Sequence, residues 1–231
     1  MNSILKGVFI RLDVLLHLWG PYACFTRPEM KAERVSYDVP TPSAVRGIFD
    51  ALYWHMGVKW DVTDIWVRSP IRFMNIRRNE LKCLLPAAEG LEAILEGRAP
   101  AACDVDAQRT QRSSLILRDV DYYAKASMRV DPVVYRGGEA KAMEIVRRRL
   151  GRGGCYHRPY FGCREFPAMF EAADAVPECP DHLRGEKDLG WMFLDWDYHD
   201  GDGGNAKPEP RFFRASMADG HIAVPKGGLA G

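Results

Sequence analysis

The chain has 231 residues and a mass of 26.1 kDa, is 47% hydrophobic and 27% charged, and sets Lys+Arg 32 against Asp+Glu 31. That is ordinary globular composition and excludes disorder, collagen and coiled coil. The most apolar stretch, Val8 to Trp19, is broken by Arg11, Asp13 and His17, so no membrane span is expected. The amino terminus has no basic region followed by an apolar core and a cleavage site, which points to a cytoplasmic protein. Cys24, Cys83, Cys103, Cys155, Cys163 and Cys179 form no Cys-x-x-Cys pair and read as reduced thiols. The net charge of +1 hides a dipole: from Lys141 to Arg164 seven bases face Glu144 alone, a local +6, and from Glu165 to Asp202 eleven acids face Arg184 and Lys187, a local −9. Such a chain can turn a basic face to phosphate, although on charge alone solvated surface is the plainer reading.

In chain order, Ile10, Leu12, Val14, Leu16 and Leu18 alternate with Arg11, Asp13 and His17, the pattern of a half-buried strand. Thr41-Pro42 supplies an N-cap and a first-turn proline, and Val45, Ile48 and Leu52 recur at helical spacing, so 42–55 reads as a helix. Val58 to Val67 is a second strand. Glu80 to Ser114 reads as an insertion with a short helical patch at Leu91 to Glu96, more a projecting loop than core. The cleanest strand follows: Val120, Tyr122, Ala124, Ala126, Met128 and Val130 face one way, and Asp119, Asp121, Tyr123, Lys125, Ser127 and Arg129 the other. Glu139 to Leu150 is a second helix, closed by Gly151 and Gly153-Gly154. Tyr156 to Phe166 is read as a fourth strand. The order strand, helix, strand, strand, helix, strand gives an α+β class, a ferredoxin-like or RNA-recognition-motif domain over residues 1–167 whose uncovered sheet face is left for ligand. Residues 168–231 read as a small C-terminal antiparallel β-sheet domain, with strands at Met192 to Tyr198, Phe212 to Met217 and His221 to Val224 and a flexible tail from Lys226 to Gly231.

Basic side chains interleave with aromatics in two segments. Arg27, Lys31, Arg34 and Arg46 accompany Phe25 and Tyr37, while Arg72, Arg77, Arg78 and Asn79 accompany Phe73. Guanidinium groups that take phosphate beside rings that stack bases are what single-stranded RNA requires, although surface arginine beside core aromatics gives the same pattern. Tyr53 lies off the buried stripe of the first helix, and Lys141, Glu144, Arg148 and Arg152 share the exposed face of the second. A tyrosine and a lysine that met could serve proton transfer and charge stabilisation on a phosphodiester without a metal, whereas Tyr53 taken singly reads as a packing residue. Cys155, His157, Cys163, Cys179 and His182 lack the paired short spacings of a zinc site. RLGRGG at Arg149 to Gly154 matches neither phosphate-loop pattern.

Several blocks carry a resemblance. WGPYACFTRPEMKAERVSYDVPTPSAVRGIFDALYW (Trp19 to Trp54), RSPIRFMNIRRNE (Arg68 to Glu80), RPYFGCREFPA (Arg158 to Ala168), DLGWMFLDWDY (Asp188 to Tyr198) and RFFRASMADGHIAVP (Arg211 to Pro225) resemble, in this order, the type I-C CRISPR-associated proteins of Cas family five, subtype d. The resemblance implies a metal-independent endoribonuclease, with no cofactor, that cuts precursor CRISPR RNA at the repeat hairpin. It implies that the protein then stays on the 5′ handle of the mature guide within the type I-C Cascade complex, beside the backbone and large subunits, and meets target DNA through that complex. The implied cut is attack of a ribose 2′-hydroxyl on the adjacent phosphorus, leaving a 2′,3′-cyclic phosphate. The family's catalytic set, a tyrosine ending the first helix and a Lys-His pair opening the second, falls on Tyr53 and Lys141, but the histidine position holds Ala142. Three readings follow: Tyr53 and Lys141 suffice, His55 or His157 substitutes, or the chain is a non-catalytic subunit that caps the guide handle.

Overall fold

The computed structural model describes residues 12–82, 92–98, 104–197, 208–226 and 229–230. The protein is α+β, dominated by one antiparallel sheet with few helices. β1 (Leu12–Ala23) buries Val14, Leu16 and Leu18, as the alternation predicts. α1 (Pro42–Leu52) begins where Thr41 Oγ1 accepts the Ala44 N–H at 3.2 Å, and its buried stripe is Val45, Ile48, Phe49 and Leu52. It ends three residues earlier than the periodicity suggests because Tyr53 is already extended, with φ −147°.

β3 (Val58–Val67) and β5 (Arg109–Val130) pair from Val58↔Val130 to Val67↔Tyr122, and β1 lies on the other side of β5. β6 (Met169–Ala172) flanks β1, so the strands run β6-β1-β5-β3, with every neighbouring pair antiparallel. The flanking strand thus starts three residues beyond Phe166, and Tyr156 to Phe166 forms turns with one isolated bridge, Tyr160↔Pro167. The cause is local. Gly162 takes φ +77° against the Cys24 carbonyl, where a Cβ would lie 2.1 Å from the oxygen, and Phe161 O accepts the Cys24 N–H, so the segment folds back on itself.

β5 is nearly twice as long as expected. Across Asp119, whose φ is +53°, its partner changes from β3 to β4 (Phe73–Leu81), and the ladder continues from Phe73↔Leu117 to Leu81↔Arg109. Glu80, Leu81 and Arg109 to Ser114, at the two ends of the expected loop, are therefore paired strand, and Val105–Gln108 is a single helical turn. The residues at the centre of that insertion, 83–91 and 99–103, lie outside the described residues. β2 (Arg34–Val35) pairs parallel to β5 at Ser114 and Leu115.

α2 (Gly138–Leu150) packs Ala142, Met143 and Val146 inward. β7 (Glu186–Asp197) and β8 (Glu209–Ala218) form a hairpin whose Met192, Phe213, Ala215 and Met217 join the core, and β7 packs on α1. β9 (His221–Ala223) stitches this hairpin to β3. The expected tail instead contributes β10 (Leu229–Ala230), paired with Phe212 and Arg211. Among the described residues no helix is long and apolar enough to cross a membrane.

Candidate nucleic-acid interface and active site

A helix ends with carbonyls that have no intrahelical donor. At the C-terminus of α1 the rest of the chain supplies those donors, and in doing so assembles a site. Ala51 O accepts the backbone N–H groups of Tyr156 and His157 at 2.7 and 3.3 Å. Leu52 O accepts from the Arg149 guanidinium, and Tyr53 O accepts the Trp60 indole N–H at 3.1 Å. Tyr53, His55, Arg149, Tyr156 and His157 are thereby gathered around one helix end.

Tyr53 is 4% exposed. Its hydroxyl donates to the Tyr135 hydroxyl at 3.0 Å, and the Arg149 guanidinium carbon lies 5.3 Å from its ring centroid. Burial and the bond to Tyr135 push the Tyr53 phenol above the usual tyrosine range, so at neutral pH it keeps its proton and is a donor. The Tyr135 ring lies against Gly137, where a Cβ would come within 2.8 Å of it. His55 is exposed, its ring meets Tyr135 edge-on at 4.7 Å, and its Nδ1 donates to Met56 O at 2.8 Å. In a neutral imidazole that bond makes Nε2 the acceptor nitrogen. Lys141 is exposed on the first turn of α2, Glu144 and Arg148 are exposed further along it, and Arg152 is exposed just past its end. The polar partners of Tyr53 are thus Tyr135 and Arg149, neither of which sequence reasoning singled out. Only Tyr135's place just before the glycines that open α2 could have drawn attention to it. Ala142 is 0% exposed within the core.

The other basic residues divide by geometry. Lys31, Arg77, Asn79, Arg148 and Arg152 are exposed. Arg27 lies 4.5 Å over the Tyr37 ring and 3.7 Å from Asp38. Arg46 lies between Asp50 at 4.0 Å and Asp195 at 2.5 Å, on the wall of a cavity of about 590 Å³ shared with β3 and β7. Arg78 is fully engaged, with Ser114, Glu165 and Glu80 at 3.1, 2.6 and 2.8 Å, and would have to exchange these for phosphate. Phe25 is buried edge-on between Tyr122 and Phe161, so its ring packs the core under its basic neighbours. Arg34 donates to Cys163 Sγ at 3.2 Å and lines a cavity of about 380 Å³ with Thr26, Tyr37, Ser43 and Tyr160. A hydrogen bond from Cys24, helped by the Arg34 charge, lowers the Cys163 thiol to about 6.

The uncovered sheet face is occupied by its own side chains. His17 stacks on Trp19 and on Tyr123, each at 4.6 Å between centroids, and Trp66 stacks on His221 at 4.9 Å. Asp121 and Glu171 hold His17, and Asp64 holds His221. Rings stacked on each other across the strands have few free faces for bases, and on the same face Asp13 pairs with Lys125 at 2.7 Å and Asp61 pairs with Arg129, so these charges are matched locally.

Comparison with known proteins gives the family to which this sheet, its helices and the tyrosine pair beside Arg149 belong. Residues 13–225 match the family model described as CRISPR-associated protein (Cas_Cas5), and the chain belongs to that family. It is 39% identical over 218 residues to the CRISPR pre-crRNA endoribonuclease Cas5d of Mannheimia succiniciproducens, covering 92% of this chain and 94% of that one. It is 36% identical over 225 residues to the protein of the same name from Thermus thermophilus, covering 90% and 89%. Among solved structures, one titled as a CRISPR-associated protein matches with TM-score 0.64 and 22% identity over 96% of each chain. The Streptococcus mutans protein SMU1763c matches with TM-score 0.64 and 21% identity over 94% of this chain and 95% of its own.

Proposed function

We propose that the chain is a metal-independent endoribonuclease that processes precursor CRISPR RNA at the repeat hairpin and stays on the 5′ handle of the guide. The observation that carries this reading is the cluster at the end of α1, where a proton-retaining tyrosine, a histidine with a free Nε2 and an arginine converge beside the +6 window. The names of the two curated relatives support it, and the antiparallel order β6-β1-β5-β3 with two helices supports a ferredoxin-like description of the sheet domain. The C-terminal hairpin would then be the second domain, and the backbone and large subunits of a type I-C Cascade complex the protein partners.

In this mechanism His55 Nε2 takes the proton of the ribose 2′-hydroxyl, whose oxygen attacks the adjacent phosphorus. Lys141 stabilises the charge of the phosphorane, and Arg149 holds the Tyr53 ring. The 5′-oxygen leaves and takes a proton from water, giving a 5′-hydroxyl and a 2′,3′-cyclic phosphate, and the His55 imidazolium returns its proton to solvent. Tyr53 orients the site through its bond to Tyr135. Lys31, Arg34, Arg77, Arg148 and Arg152 take flanking phosphates. A second reading, a handle-capping subunit without cleavage, is favoured by one observation, the alanine at 142.

Single-turnover cleavage of repeat RNA in excess chelator separates the two. Wild type is expected to cut, and His55→Ala, Lys141→Ala and Tyr53→Phe to slow it on the order of a hundredfold or more with smaller effects on binding. Tight binding without cutting by wild type refutes the enzyme and leaves the capping subunit. Full-rate cutting by His55→Ala refutes His55 as the base.

A further inference from the structure

We propose that Trp54 and Tyr156 form a base-stacking platform for an unpaired nucleotide of the RNA, next to the Tyr53 cluster. The inference rests on the reading of the chain as an RNA-binding protein and adds a contact that this reading does not contain.

Both rings are large and apolar, yet Trp54 is 54% and Tyr156 62% exposed. Burying such a ring is favourable, so leaving two of them side by side in water forgoes stability that the fold could have used. Their centroids are 6.4 Å apart and the planes are tilted by 32°, an arrangement that leaves ring surface uncovered. This contrasts with the open sheet face, where each ring stacks on the next. The positions are fixed by backbone: Trp54 follows the last residues of α1, and Tyr156 is held by its N–H bond to Ala51 O. Behind it, Gly153 at φ +63° and the Gly154 N–H bond to Arg149 O turn the chain sharply after α2. The two rings are therefore a rigid feature of the helix end.

Charge identifies the occupant. Tyr156 itself belongs to the stretch from Lys141 to Arg164, which carries seven bases and one acid and whose Arg148, Arg152 and Arg158 are exposed, and Arg149 of that stretch lies over the ring of Tyr53, the neighbour of Trp54. An apolar protein partner would be poorly matched to that charge. A polyanion whose bases can stack on aromatic faces satisfies both halves of the surface at once. Because Trp54 lies between Tyr53 and His55 in sequence, a base held there would bring its own ribose and phosphate towards His55.

The experiment uses the full chain and repeat RNA carrying 2-aminopurine in turn at each unpaired purine beside the hairpin. Wild type is expected to quench the fluorescence at one position. Trp54→Ala and Tyr156→Ala are each expected to weaken binding roughly five- to hundredfold, the range for loss of one stacked base, with the salt slope unchanged because no cation is removed. Arg148→Ala and Arg152→Ala should instead reduce the slope. Trp54→Phe retains a stacking face, so it should keep most of the affinity and the quenching, and it serves where an alanine variant fails to fold. If wild type binds the RNA with a normal salt slope while no 2-aminopurine responds and both alanine variants bind as tightly, the platform is refuted and the RNA-binding reading stands. If wild type does not bind repeat RNA, the RNA-binding reading falls and the platform with it.

Discussion

Three consecutive arginines close α2, and the structure gives only the last of them a structural task. Arg147 and Arg148 are exposed, whereas Arg149 turns inward, donates to Leu52 O and lies over the Tyr53 ring. Replacing Arg149 by alanine removes a charged donor, worth about 1.5–3 kcal/mol net, and a cation–π contact worth about 0.5–1 kcal/mol where partly exposed. Because Arg149 is itself half-exposed, the lower part of these ranges applies, and a loss of about 2 kcal/mol is expected. Arg148→Ala should cost no more than about 0.5 kcal/mol, as exposed substitutions do. Urea denaturation should show a lower midpoint for Arg149→Ala with an unchanged slope, and thermal unfolding a fall of roughly 4–8 °C for a chain of this size. Arg149→Lys keeps the charge and loses the planar fork, so it should fall between the two. If Arg149→Ala is no more destabilising than Arg148→Ala, the capping account of the α1 terminus is refuted and the assembly argument for the Tyr53 cluster fails with it.

Gly137→Ala would place a Cβ 2.8 Å from the Tyr135 ring and is expected to cost about 1–3 kcal/mol. The ultraviolet titration of Tyr53 should then move down towards the ordinary tyrosine range as its bond to Tyr135 loosens, and an unmoved titration would refute that coupling. Ala142→His puts an imidazole into a fully buried position, so its denaturation midpoint should fall by a similar 1–3 kcal/mol; unchanged stability would show that the site can open. Glu165 is held below the usual carboxylate range by its own backbone N–H and by Arg78. Its stabilisation is therefore complete above about pH 4.3 and lost as the pH falls through the lower folded value. Arg78→Ala should flatten this acid limb of stability and also weaken the β4–β5 hairpin, where Arg78 meets Glu80 and Ser114; an identical acid limb in the variant would refute the assignment.

Alternation and capping chemistry were readable in the sequence because they are local. The period-two pattern over Val120 to Val130, the Thr41-Pro42 start of α1 and its buried Val45, Ile48 and Leu52 stand where expected, since each is set by which side chains must leave water. The motif blocks likewise carried the family, which the match over residues 13–225 bears out. Tertiary structure decided what depends on partners distant in the chain. Tyr156 to Phe166 contains enough apolar residues for a strand, but its backbone donors and acceptors are used by Cys24 and by its own turns, and Met169–Ala172 reaches β1 instead. The expected loop from Glu80 became strand at both ends because β5 could keep pairing once Asp119 changed its partner. Arg77 and Arg78 are neighbours in sequence, and only the pleat exposes one and pairs the other. The Tyr53 cluster has the same origin: Tyr53, Tyr135, Arg149 and Tyr156 span about a hundred residues, and they meet because the unsatisfied carbonyls of one helix end had to find donors somewhere in the fold.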